Sequence, residues 1–219
     1  MRADKGPLFA DRTRAGAELG ALLKEREWTD PVVVGLARGG VPVAAAVADV
    51  LGAPLDVAVS RKIGVPGRPE LGIGAVTDDG SVHYDMEALA RFRLRPEDLR
   101  ASCEEEQALA QERLARYRTV ADPVPVADRD VVLVDDGLAT GVTARAALRR
   151  FRAMRPHRLV FAAPVCARLG CRALQAEGVA DDVVCVALPA PFSAVSRWYR
   201  DFTQTDDETV LAVLAAHRA

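Results

Sequence analysis

Residues 131–143 read VVLVDDGLATGVT. An apolar run suited to a buried strand stops at two adjacent aspartates, Asp135 and Asp136, then turns through Gly137 and Gly141 with Thr140 and Thr143 alongside. Neighbouring carboxylates at the end of a buried element are costly unless something binds there. The glycines let a ligand approach the backbone closely, and the helix predicted in TARAALRRFRAMR offers unpaired N–H groups and the positive end of its dipole, which suits a phosphate monoester. The lysine of a Walker A loop is missing, and the turn is not the GxGxxG of a dinucleotide fold. Carboxylates beside a phosphate cradle repel that phosphate unless they face another part of the ligand. Asp135 and Asp136 therefore suit sugar hydroxyls, a magnesium ion or both, and the ligand class implied is a phosphorylated sugar.

Outward from this stretch, strand and helix patterns alternate. PVVVGLARGGVPVAAAVADVLG (31–52) reads strand, glycine turn, helix, and PLDVAVS (54–60) reads as a buried strand. After the motif come the strand RLVFAAPV, the helix RLGCRALQAEG and the strand DVVCVALP. This alternation predicts an α/β fold, a parallel sheet flanked by helices, with ligands at the carboxyl ends of its strands. Asp11 is a predicted N-cap for a helix with Ala15, Leu19, Leu22 and Leu23 on its apolar face. RKIGVPGRPELGIGAV (61–76) is too rich in breakers for a regular element, and residues of about 61–80 are expected to form a flexible loop. Residues of about 85–120 are expected to form a helical insertion, one short and one long helix broken at Pro96, and about 189–219 a C-terminal hood and tail.

Composition narrows the functional classes. With 219 residues, 50% hydrophobic and 27% charged, the chain fits one globular domain over 1–219 with insertions. A formal net charge of -2 and a pI of about 6.0 argue against a nucleic-acid partner. The N-terminal MRADKGPLFADRTR has no apolar core of signal-peptide length, and no run approaches the roughly 20 apolar residues of a membrane span, so a cytoplasmic protein without a membrane partner is expected. Cys103, Cys166, Cys171 and Cys185 lack CxxC spacing, which predicts reduced packing cysteines rather than a zinc site or a disulfide framework. His83, His157 and His217 read as turn, loop and helix-end residues. Ser193 and Ser196 have no histidine at catalytic spacing, which speaks against a serine hydrolase.

Four apolar residues, two acidic ones and GxxTGxT resemble the motif that binds 5-phosphoribosyl 1-diphosphate (PRPP) in type I phosphoribosyltransferases, closest to its adenine-type form. The order RGG, RKIGVPGRPE, helical insertion, VVLVDDGLATGVT and WYRDFTQTDDE is similar to a group of small members of that family, from about Arg12 to the end of the chain. By this resemblance Asp135 and Asp136 bind the ribose 2- and 3-hydroxyls. Gly137, Ala139, Thr140, Gly141, Val142 and Thr143 hold the 5-phosphate. Ala37, Arg38, Gly39 and Gly40 form the pyrophosphate loop, in which a strained or cis peptide is expected, and Arg38 supplies a permanently charged guanidinium for phosphate oxygens. Lys62 and Arg61 meet the leaving diphosphate, so that Arg38, Lys62, Asp135 and Asp136 are the implied catalytic residues. Glu70 is a candidate for proton transfer. PAPFSAVSRWYRDF brings Phe192, Trp198, Tyr199 and Phe202 together, of which Phe192 and Trp198 are candidates for stacking on an acceptor base, the other reading being a hydrophobic lid or dimer contact.

The resemblance further implies Mg²⁺ carried with PRPP, with Asp135 or Asp136 as its nearest protein donors, a nitrogenous acceptor and a homodimer. Ala139 stands where 6-oxopurine enzymes place an aspartate, which disfavours hypoxanthine and guanine. A PRPP- or nucleotide-sensing protein without transfer is the alternative. A phosphatase would use the aspartates but leave ARGG and the phosphate cradle unexplained.

Overall fold

The computed structural model describes residues 6–217, and the side chain of Glu70, the proposed proton-transfer candidate, lies outside the described residues. The apolar runs become β1 (Val32–Ala37), β5 (Asp130–Val134), β6 (Arg158–Val165) and β7 (Asp182–Ala187), joined by the first part of β2 (Leu55–Val65). They pair in parallel in the order β2-β1-β5-β6-β7. Alternate side chains of one strand enter different cores. Val33, Val132, Val134 and Val160 face one layer, and Val32, Val131, Leu133 and Phe161 face the other. Both faces being covered is why these strands read as continuous hydrophobic runs rather than as alternating ones.

One layer is built by α1 (Arg12–Lys24), α2 (Gly40–Leu51) and α7 (Asp207–Ala216), which contribute Leu19, Leu23, Val43, Val47, Val210 and Leu214. The other is built by α5 (Val142–Ala153) and α6 (Arg168–Glu177), with Ala147, Leu148, Phe151 and Leu174. Asp11 caps α1 by accepting from the Arg14 N–H at 2.8 Å, as its position before the apolar face predicts.

The expected irregular loop over 61–80 is instead a two-stranded ribbon. β2 runs on through Arg61, Lys62 and Ile63 and pairs antiparallel with β3 (Arg68–Thr77), which in turn pairs with β4 (Val82–Tyr84). The breakers are absorbed locally: Gly67 takes a left-handed φ of 76° at the hairpin, and the register shifts at Gly64. Ile63, Val65, Ile73 and Val76 then bury a small core of their own against Leu89 and Leu99 from the insertion. That insertion comprises α3 (Met86–Phe92), a 3-10 turn at Pro96–Leu99 and α4 (Arg100–Tyr117). His83, expected in a turn, is buried on β4.

The cysteine expectation is overturned as well. Cys166 and Cys185 form a disulfide, with Cα atoms 6.2 Å apart, while Cys103 and Cys171 are free. Their separation of 19 residues spans one strand-helix-strand unit, and the parallel pairing of β6 with β7 sets Cys185 opposite Ala163, near Cys166. Spacing along the chain carries no sign of that proximity.

A candidate sugar-phosphate site at the carboxyl edge of the sheet

β5 ends at Val134, so Asp135 and Asp136 emerge where the parallel strands terminate. Asp135 donates its N–H to the Ala162 carbonyl at 3.2 Å, continuing the register with β6, and its Oδ1 accepts from the Asp136 N–H at 2.8 Å. Leu138 is tied back from both sides: its N–H reaches the Val165 carbonyl at 2.9 Å and its carbonyl accepts from Ala167 at 2.7 Å. These bonds arch the chain between Leu138 and Gly141. Ala139 and Thr140 are exposed at the crest, and Gly141, at a φ of 78°, precedes the first turn of α5, which holds Val142 and Thr143.

The glycine turn after β1 closes on this arch. A Cβ on Gly39 would overlap the Asp136 carboxylate, and one on Gly40 would come within 2.5 Å of the Val134 carbonyl and 2.9 Å of the Asp135 Cα. At Gly40 the obstacle is backbone and at Gly39 it is the Asp136 carboxylate, so turns from distant parts of the sequence meet in one space. The Ala37–Arg38 peptide between them and β1 is cis, as expected from the resemblance.

Asp136 is paired from α1. Arg12 donates to its Oδ2 through both Nε and Nη2 at 2.9 Å, gives Nη1 to the Thr203 carbonyl at 2.8 Å, and lies 3.9 Å over the Phe202 ring. Tyr199 donates its hydroxyl to the Asp136 carbonyl at 2.6 Å. Burial raises the Asp136 carboxyl against the lowering effect of Arg12. For Asp135, burial first and the Asp136 charge second push its carboxyl well above the ordinary range, against smaller lowering effects of the Asp136 N–H and the Arg12 charge. The pair is poised for ligand donors, because hydroxyl groups relieve the desolvation that raises both groups.

Arg38 faces Asp207 at 3.7 Å. Asp207 opens α7 and is also held by Arg113 Nε at 3.1 Å and by the Tyr117 hydroxyl. Lys62, by contrast, is exposed and lies across Gly72 on the ribbon, while Arg61 is engaged with Glu106. Phe192 and Trp198 stack with centroids 6.4 Å apart, and Val195 between them covers Gly137. Trp198 is buried among Phe9, Val165 and Tyr199, which leaves half-buried Phe192 as the outward aromatic of the pair.

Sequence reading missed Arg12 and Asp207, and it grouped Tyr199 and Phe202 with the C-terminal aromatics without their contacts to Asp136 and Arg12. Three of them lie in the quoted WYRDFTQTDDE, so the segment was visible but its partners were not. Arg12 carried no local signal at all. Among the described residues, the group of three or more His, Cys, Asp or Glu side chains that converges tightly enough for an ion is Cys166, Cys171 and Cys185, not the aspartate edge. Asp135 and Asp136 offer two carboxylates, a donor set that could hold a magnesium ion only together with phosphate and water oxygens.

A doubly covered sheet with paired carboxylates and glycine turns at its carboxyl edge defines an α/β protein of the crevice-binding class. The chain belongs to the phosphoribosyl transferase family, whose domain model, described as "Phosphoribosyl transferase domain", matches residues 13–186. Provisionally named phosphoribosyl transferases from two Mycobacterium tuberculosis strains, H37Rv and CDC 1551, are each 44% identical over 214 residues, 96% of this chain and 47% of theirs. The chain thus spans about half the length of the curated relatives it matches. The crystal structure of TT1426 from Thermus thermophilus is similar, at 39% identity and a TM-score of 0.81, over 96% of this chain and 99% of that one. Among the described residues no helix is long and apolar enough to cross a membrane.

Proposed function

We propose that the protein transfers the 5-phosphoribosyl group from PRPP to a nitrogenous acceptor. The nitrogen–C1 bond forms as the C1–oxygen bond to the diphosphate breaks, and pyrophosphate leaves. The observation that carries this reading is the shared space of Gly39, Gly40, Asp135 and Asp136, which brings a diphosphate-type turn and a sugar-facing acid pair to one edge. In this assignment Asp135 and Asp136 accept hydrogen bonds from the ribose hydroxyls, and the amides from Ala139 to Thr143, with the Thr140 and Thr143 hydroxyls, hold the 5-phosphate. Ala37, Arg38, Gly39 and Gly40 receive the diphosphate, for which Arg38 exchanges Asp207. Arg12 holds the Asp136 charge in place until the sugar arrives.

A magnesium ion bound with the diphosphate would be held on the protein side by Asp135 or Asp136, and would supply charge neutralisation for the leaving group. Lys62 is assigned to the departing diphosphate by movement of the ribbon, and Phe192, with Trp198 behind it, to the face of the acceptor. Catalysis of this kind rests on positioning and on fixed charges rather than on a protein nucleophile. Ala139 disfavours a 6-oxopurine acceptor. A homodimer and a cytoplasmic setting belong to the same proposal.

The test is to incubate the protein with Mg²⁺ and PRPP against purines, pyrimidines and other nitrogen heterocycles, measuring pyrophosphate release and PRPP binding by calorimetry. Release that depends on one acceptor class is the expected result. Absence of PRPP binding would overturn the assignment.

A further inference from the structure

Behind the arch that ends in Gly141 lies a second group of reactive side chains that the transfer reaction does not use. The Cys166–Cys185 disulfide joins the residue after β6 to β7, and the Sγ of the free Cys171, on the first turns of α6, lies 3.7 Å from the Sγ of Cys185. All three sulfurs fall within 4.8 Å of one another. Cys166 is fully buried and Cys171 nearly so, whereas Cys185 is partly exposed. We propose that the three cysteines form a thiol–disulfide exchange site in which Cys171 displaces Cys166 from Cys185.

The step is balanced without any outside oxidant. The Cys171 thiolate attacks the Cys185 sulfur, the Cys171–Cys185 bond forms, the Cys166–Cys185 bond breaks, and Cys166 leaves as a thiolate that takes up the proton lost by Cys171. A third sulfur beside a bridge is the arrangement such exchange needs, since the nucleophile is already held next to the atom it attacks. Burial pushes the Cys171 thiol up, so its thiolate is a minor species and equilibration is expected over minutes to hours.

The two linkages differ in what they hold. Cys166 pairs with Leu138 in an isolated bridge and donates its N–H to the Ala187 carbonyl at 3.0 Å. Gly170, adjacent to Cys171, lies so close to the arch that a Cβ there would overlap the Ala139 carbonyl. In the first state the disulfide anchors the strand end beneath Leu138. In the second it ties the helix turn that packs on Ala139 to β7 instead. The choice of linkage therefore bears on the backbone assigned to the 5-phosphate. That consequence rests on the function proposed above, while the exchange itself does not.

Trypsin separates the three residues cleanly, because cleavage after Arg158, Arg168, Arg172 and Arg197 puts Cys166, Cys171 and Cys185 on different peptides. The intact protein is equilibrated with a trace of a small thiol, alkylated at acidic pH, digested without reductant and mapped by mass spectrometry. The wild type is expected to give both the Cys166–Cys185 and the Cys171–Cys185 cross-linked pairs, and mildly oxidised Cys166→Ser to give the second alone. A wild type that yields Cys166–Cys185 only, or a Cys166→Ser protein whose Cys171 and Cys185 stay fully alkylatable after oxidation, would overturn the exchange. Coupling to the arch is read by amide hydrogen exchange over residues 137–143, comparing Cys171→Ser, locked in the first linkage, with oxidised Cys166→Ser, locked in the second. A change in protection of about tenfold is expected, and identical protection would show that linkage does not reach the loop, whether or not PRPP binds.

Discussion

The carboxyl edge of the parallel sheet and the antiparallel ribbon on its flank contain similar residues, glycines and charges around apolar strands, yet they place their charges differently. At the sheet edge, Gly39 lies against the Asp136 carboxylate and Gly40 against the backbone of Val134 and Asp135, and the acid pair is held away from water against its own electrostatic preference. In the ribbon, Gly67 turns the hairpin while Gly64 and Gly74 lie against the Pro69 and His83 backbone of the neighbouring strands, and charge is spread over exposed Lys62 and the Arg61–Glu106 pair. The first region sacrifices stability for a preorganised polar site, and the second gains stability from a satellite core of Ile63, Val65, Ile73 and Val76.

The largest expected effect separates the two. Asp135→Asn combined with Asp136→Asn should weaken PRPP binding at least about a hundredfold, since several charge-assisted hydrogen bonds are lost together. Calorimetry measures the affinity, and an unchanged circular-dichroism spectrum shows that the fold persists. Normal binding by this double variant would refute the sugar-hydroxyl assignment.

On the ribbon side, Leu99→Ala empties a fully buried position beside Ile63, Ile73 and Leu89 and should cost about 2–5 kcal/mol. Urea denaturation reads that loss, while PRPP affinity at a temperature where the variant is folded should be unchanged. A parallel fall in affinity would mean that ribbon and sheet edge act as one unit.

Single Asp135→Asn sharpens the contrast through pH. The folded Asp135 carboxyl lies above its unfolded value, so the ionised group destabilises the fold at neutral pH, and that penalty disappears as pH falls through the folded value toward the ordinary carboxylate range. The variant should thus be more stable than wild type by about 1–2 kcal/mol at pH 7, with the gain shrinking on acidification. Thermal melts of both proteins across that range test it. A gain that grew on acidification would reverse the sign of the argument. Smallest is Tyr199→Phe, which deletes the hydroxyl donated to the Asp136 carbonyl and should cost about 1 kcal/mol in chemical denaturation. No loss at all would mean that water replaces the hydroxyl there.

Legibility in the sequence followed the range of the forces involved. The strand runs, the Asp11 cap and the Asp135–Thr143 turn each depend on residues a few positions apart, and their patterns were readable for that reason. The ribbon was misread because Gly and Pro density signals a break in the local chain but says nothing of the partner strand and the Leu89–Leu99 cover that stabilise it. Cysteine pairing failed similarly, since it depends on the β6–β7 register rather than on spacing.

From the sequence alone came the doubly covered parallel sheet, because unbroken apolar strands can be satisfied only between two layers, and the acid pair with its glycine turn, because their chemistry is written in adjacent residues. Only the tertiary structure decided that Arg12 neutralises Asp136, that Asp207 holds Arg38, and that three cysteines share one pocket behind the arch. Those contacts join residues brought together by strand order and helix docking, and a pairing across such distances leaves no periodicity in the chain to read.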